Sequence, residues 1–151
     1  MKYKLLVFSV ACLCTAVGSL AQDKPALKFN HLAIFVVDLG QSRHFYTEVV
    51  GLDTIPEPFH DKKHLWLNSG FGSSIHVIAG ATKKKEYYEG NHLCFSTNNM
   101  DEFKRRLEKN NIKWRNMQGQ VGMTTTRPDG ILQIWLDDPD GYHIEINNDY
   151  K

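Results

Sequence analysis

An internal repeat restricts this chain more than any other feature. Asn30-His31-Leu32-Ala33-Ile34 returns as Asn91-His92-Leu93-Cys94-Phe95, an offset of 61 residues from His31 to His92. Self-similarity at this spacing marks two copies of one supersecondary unit. In the first copy, the β-branched and aromatic run Phe29 to Asp38 reads as a strand. A helix follows from Asp38 or Gln41-Ser42 to Val49, with Gly51 just past its end. Leu52 to Glu57, His64 to Asn68 and Ser73 to Ala79 read as strands. The turn Ser69-Gly70-Phe71-Gly72 makes the last two an antiparallel hairpin. Gly80 to Gly90 is a polar linker carrying Lys83-Lys84-Lys85, which reads as a solvated loop.

The order then restarts. The strand opening on His92 leads to a helix over Met100 to Asn110, with Met100, Phe103 and Leu107 on one face and Asn99 as N-cap. Trp114 to Met117 and Met123 to Thr126 read as one broken strand. Ile131 to Asp137 and Tyr142 to Asn147 follow as strands, joined by Asp138-Pro139-Asp140-Gly141. The pattern is βαβββ twice without regular βα alternation, which predicts an α+β domain. The expected architecture is two βαβββ modules forming a curved mixed sheet around a cleft, with helices outside.

The first 21 residues read as a signal peptide: Lys2 and Lys4, a mostly apolar run from Leu5 to Val17, and the cleavage pattern Ser19-Leu20-Ala21. Residues 22–28 form a polar leader and 29–151 one domain, which sends the mature chain to a periplasmic or secreted location. The apolar run is short for a bilayer span, so no membrane association is expected after cleavage. Loss of Lys2 and Lys4 takes the formal charge from +1 to −1. With no basic stripe, nucleic acid is not an expected partner. Cys12 and Cys14 fall in the signal, so only Cys94 remains and no internal disulfide can form. Cys94, between Leu93 and Phe95, reads as a small buried hydrophobe.

Alternation along strands carries the chemistry. His31, Ala33 and Phe35 share one face of their strand, opposite Leu32, Ile34 and Val36. Ser74, His76 and Ile78 share a face, as do His92, Cys94 and Ser96, and His143, Glu145 and Asn147. The opposite faces are apolar and suited to packing under helices. His31, His76, His92 and Glu145 therefore have one phase and equivalent places in the two halves. A pseudo-two-fold arrangement would collect them. Imidazole and carboxylate suit one divalent ion (zinc, nickel, iron, cobalt or manganese). His44, His60 and His64 lack this relation and read as surface or loop residues. His143 reads as a supporting or exposed residue. Gln133, Trp135 and Phe35 share the inward phase as candidate substrate-binding residues, with Arg127 as a candidate anion contact.

Taken together, Asn30 to Ile34, Phe45-Tyr46, Gly51-Leu52, and Ile134 to Glu145 with its Asp-Pro-Asp-Gly turn resemble the vicinal oxygen chelate superfamily, also called the glyoxalase/bleomycin-resistance/dioxygenase superfamily. The resemblance covers Phe29 to Asn148. It implies paired βαβββ modules holding a metal in a cleft, with ligand positions at His31, His76, His92 and Glu145. It further implies a glyoxalase-like lyase or isomerase acting on a small substrate with vicinal oxygens, Glu145 moving a proton between adjacent carbons. Paired-module members often form homodimers with ligands swapped between chains. His76 departs from the pattern, because glyoxalase I enzymes carry glutamate there and methylmalonyl-coenzyme A epimerases carry glutamine. Three-ligand members, dioxygenases among them, use only the equivalents of His31, His92 and Glu145. A non-haem iron dioxygenase and a non-catalytic bleomycin-resistance-like binding module are the alternatives. A fosfomycin-type thiol transferase is a weaker one, since it needs a thiol donor.

Overall fold

The computed structural model describes residues 26–151; the segment expected to be a signal peptide and the start of the expected leader lie outside them. The first module contains β1 (His31–Val36), α1 (Leu39–His44), β2 (Thr54–Ile55), β3 (His64–Gly70) and β4 (Ser73–Ala79). The second contains β5 (His92–Ser96), α2 (Met100–Lys109), β6 (Thr125–Thr126), β7 (Leu132–Asp137) and β8 (His143–Asn147). Each module forms one mixed four-stranded sheet, ordered β1-β4-β3-β2 and β5-β8-β7-β6. The first strand of each runs parallel to the last, and the remaining pairings are antiparallel.

The sheets do not form the expected curved sheet around a cleft. They are two separate open sheets, and no strand of one pairs with a strand of the other. The cause lies in the apolar faces. Ile34, Val36, Leu65, Leu67, Ile75 and Val77 of the first sheet share one core with Ile134, Leu136, Ile144 and Ile146 of the second, together with the helical residues. Burying both apolar faces in one core removes the most hydrocarbon from water. It leaves the opposite faces of the two sheets turned away from that core.

The helices supply the rest of the core. Asp38 caps α1 by accepting the Gln41 N–H at 3.0 Å. The helix widens into a π-helical stretch, Phe45–Val50, which buries Phe45, Tyr46, Val49 and Val50. It stops at Gly51, whose left-handed φ of 92° and contact with the Arg106 guanidinium both favour glycine. In α2, Asn99 accepts the Glu102 N–H at 3.0 Å, and Met100, Phe103 and Leu107 face the core.

The Asp138–Gly141 turn has a structural task. Asp140 accepts the Val37 N–H at 2.7 Å and the Ser42 hydroxyl at 3.2 Å. Asp138 accepts the Tyr46 hydroxyl at 2.9 Å, and the Tyr142 hydroxyl accepts the Phe35 N–H at 3.0 Å. The second module thus covers the free edge of β1 and clamps α1. The expected strand over Trp114 to Thr126 is mostly irregular. The Asn116 side chain accepts the Gln118 and Gln120 N–H groups and folds that segment on itself, so only Thr125–Thr126 forms a strand there, and Arg115 adds a single bridge to Trp135.

Candidate metal and substrate site

The four candidate ligands fall into two pairs, one on each sheet's outward face. On the first sheet the His31 and His76 rings lie 5.9 Å apart. On the second, His92 Nε2 lies 3.5 Å from Glu145 Oε2. The structure does not bring the pairs together within one chain, because the faces that carry them look away from the shared core.

The pairs are built alike. Trp66 stands opposite His76 in register and Trp135 opposite Glu145. His31 meets Trp66 edge-on at 5.0 Å and 63°, and His92 meets Trp135 edge-on at 4.6 Å and 68°. Both opening histidines are oriented through Nδ1, His31 to Asn30 Oδ1 at 2.6 Å and His92 to the Glu89 carbonyl at 3.1 Å. Those oxygens only accept, so Nδ1 is the donor in both rings. This is how ligating histidines are commonly held.

His76 is buried, and its Nε2 has no hydrogen-bond partner. Its ring is stacked on Trp66 at 4.2 Å. Burial, reinforced by His64 and His31 and opposed by Glu57, holds its pKa below the usual imidazole value. The ring is therefore neutral near pH 7 and keeps a free lone pair. An orphaned buried imidazole nitrogen beside His31 on one sheet, and an oriented histidine beside a carboxylate on the other, are donor types that suit a divalent ion.

His92 and Glu145 open onto a cavity of about 480 Å³ lined also by Gln133, Trp135, Arg127 and Met117. Three of the four candidate substrate-binding residues are thus together. Phe35 is not among them. It is half exposed on the first sheet and packs against Gly80. Arg127 reaches the cavity while paired with Asp129 at 2.5 Å. His143, on the same strand face as Glu145, is held by Asp137 at 2.6 Å and by the Tyr87 carbonyl at 2.8 Å, so it fastens the linker.

Cys94 is exposed on the site face instead of buried in the core. Loss of water around the sulfur, reinforced by Glu145, pushes its thiol up to about 12. The sulfur is a hydrogen-bonding group here, joined to Glu145 and Asn147.

A second group of potential ligands went unread in the sequence. Glu57, Asp61 and His64 have ligand atoms within 4.8 Å of one another and form a candidate metal-binding triad. Glu57 also accepts the Phe59 and His60 N–H groups, and Asp61 the Lys63 N–H, so the carboxylates fold their own loop. The His64 ring lies 5.0 Å from that of His76. Strand phase could have flagged His64, since it shares a face of β3 with Trp66. The ten-residue spacing from Trp66 to His76, repeated from Trp135 to Glu145, was another available signal.

Residues 28–146 match the model of the Glyoxalase/Bleomycin resistance protein/Dioxygenase superfamily, and the chain belongs to that superfamily. Among curated proteins it is similar to "Glyoxylase I 4" of Arabidopsis thaliana, 27% identical over 127 residues, covering 79% of this chain and 69% of the relative. It is also similar to a lactoylglutathione lyase of Schizosaccharomyces pombe, 27% identical over 154 residues, covering 82% of this chain. The match spans only 48% of that longer protein. Among solved structures, a glyoxalase family protein from Bacillus anthracis superposes with a TM-score of 0.62 at 24% identity, covering 85% of this chain and 99% of the other. That likeness establishes the fold alone. No helix among the described residues is long and apolar enough to cross a membrane.

Proposed function

We propose that the protein is an exported, metal-dependent glyoxalase-like lyase or isomerase whose complete site forms between two copies of the chain. The carrying observation is the matched construction of the two half-sites, His31–Trp66–His76 and His92–Trp135–Glu145. In a homodimer the first half of one copy would face the second half of its partner. Phe35, Phe59 and Met117 stand exposed on these faces, at 50%, 54% and 61%, and a second copy would cover them.

His31, His76, His92 and Glu145 would hold the ion. When bound there, a divalent cation supplies a Lewis acid for vicinal oxygens of a small substrate. Gln133 and Trp135 orient the substrate in the cavity, and Arg127 meets an anionic group on it. Glu145, released from the ion for that step, would take a proton from one carbon and return it to the next through Oε2, the oxygen turned to His92. Outside the cytosol the reduced thiol pool is absent, so an exported enzyme of this kind acts on something other than a glutathione adduct.

Elemental analysis of residues 22–151 grown with zinc and nickel, beside His31→Ala and Glu145→Ala, tests the reading. The expected result is about one ion per chain, lost in both variants, with activity on a small hydroxy-carbonyl substrate abolished by chelator. A wild type without metal would overturn it. So would metal that survives both substitutions but vanishes in Asp61→Ala, which would assign the ion to the Glu57–Asp61–His64 triad.

A further inference from the structure

The two half-sites differ in one respect that their matched construction makes visible. On the first sheet His76 stands in register with Ala33, and the next outward rung pairs Phe35 with Ile78. Ala33, Phe35 and Ile78 have no hydrogen-bonding side chain, and His76 Nε2 has no partner. On the second sheet the equivalent rungs pair Cys94 with Glu145 and Ser96 with Asn147, and all four are polar.

These four form one connected chain. Asn147 is 5% exposed. Its Oδ1 accepts the Ser96 hydroxyl at 2.9 Å and the Asp149 N–H at 3.1 Å. Two donors on Oδ1 fix the amide's orientation and turn Nδ2 toward Glu145. Nδ2 donates to Glu145 Oε1 at 3.0 Å and to Cys94 Sγ at 3.2 Å. The Cys94 thiol in turn donates to the same Oε1 at 3.5 Å. Oε1 is thereby engaged from the protein side, while Oε2 is left toward His92 and the cavity.

The geometry points to Asn147, buttressed by Ser96, as the residue that positions Glu145 and decides which of its oxygens is offered to the metal. This rests on the reading of Glu145 as a ligand. Asn147 is a positioning residue and touches neither metal nor substrate. Outer partners of ligating groups commonly change metal affinity by about 10–100-fold when removed.

The test is zinc affinity by competition with a chromogenic chelator, with melting temperature measured on the same samples. Asn147→Leu is expected to weaken zinc binding about 10–100-fold while the protein stays folded. Ser96→Ala is expected to weaken it less, and Ser96→Thr, which keeps the hydroxyl, to restore it to about the wild-type value. If Asn147→Leu fails to fold, the Ser96 pair carries the test alone. A purely structural role for Asn147 would lower the melting temperature and leave zinc affinity unchanged in the folded variants, which overturns the inference. An equal loss in Ser96→Ala and Ser96→Thr overturns it as well. Glu145→Ala separates the two levels. If it binds zinc like wild type, or if wild type binds none, the ligand reading fails and this inference with it. If Glu145→Ala abolishes binding while Asn147→Leu does not, only the inference fails.

Discussion

Replacing Tyr46 by phenylalanine removes one oxygen from a side chain with no exposed surface. The ring remains, so no cavity opens and the hydrophobic contacts of the core are kept. The hydroxyl donates to Asp138 Oδ2 at 2.9 Å across the two modules, and Asp138 is itself buried. Its Oδ1 keeps the Asp140 and Tyr142 N–H groups, both at 2.8 Å, but Oδ2 has no other partner. A hydrogen bond to a charged group contributes about 1.5–3 kcal/mol, and stranding the buried acceptor adds to the loss. Tyr46→Phe should therefore cost about 2–3 kcal/mol. For a domain of this size that is roughly 8–12 °C in melting temperature at about 4 °C per kcal/mol. Urea unfolding would read it as a lower midpoint with unchanged slope, the mark of lost stability without a change in surface exposed. A loss below about 0.5 kcal/mol would refute the claim that the Asp-Pro-Asp-Gly turn clamps the modules together.

Further outcomes follow from the same geometry. Gly51→Ala should destabilise by at least about 1–2 kcal/mol, because a left-handed backbone and the Arg106 contact both oppose a Cβ; an unchanged urea midpoint would contradict this. Burial, with Asp140 nearby, raises the Asp138 pKa even though hydrogen bonds from Tyr142, Tyr46 and Asp140 oppose the rise. A raised folded pKa favours the fold below the ordinary aspartate value and loses that contribution as pH climbs through the folded value. Compared with Asp138→Asn, the wild type should thus gain stability on acidification through that window, and parallel pH–stability curves would remove the argument. Chelator should lower the melting temperature of metal-loaded wild type and leave that of Glu145→Ala unmoved, since a ligand that binds only the folded state stabilises it by mass action. An equal shift in both would place the ion elsewhere.

Much of the fold was legible because it rests on local rules. The repeated Asn-His opening, strand alternation and the Asn99 cap each act within a few residues, and each is present in the structure. The relation between modules was not legible. Two amphipathic sheets can bury their apolar faces separately, each under its own helix, or jointly in one core, and the binary pattern is the same in both cases. Here the joint solution separates His31 and His76 from His92 and Glu145. The widened helix from Phe45 to Val50 was hidden for a related reason, since its buried positions also suit an ordinary α-helix. Cys94 was misplaced because its neighbours Leu93 and Phe95 mark a strand without saying which face is wet. At the site, phase identified the residues of each pair, while the triad escaped because Glu57 and Asp61 lie in a loop where no periodicity operates.

Mixed dimers test directly whether two chains complete one site. One copy carries His31→Ala with His76→Ala, and the other His92→Ala with Glu145→Ala. Each alone should bind no zinc. Mixed by co-expression, the heterodimer should regain one intact site, made of the second copy's His31 and His76 and the first copy's His92 and Glu145, and hold one ion per dimer. Heterodimers that form and bind no zinc, beside a wild type that does, would show the site to lie within a single chain and contradict the account.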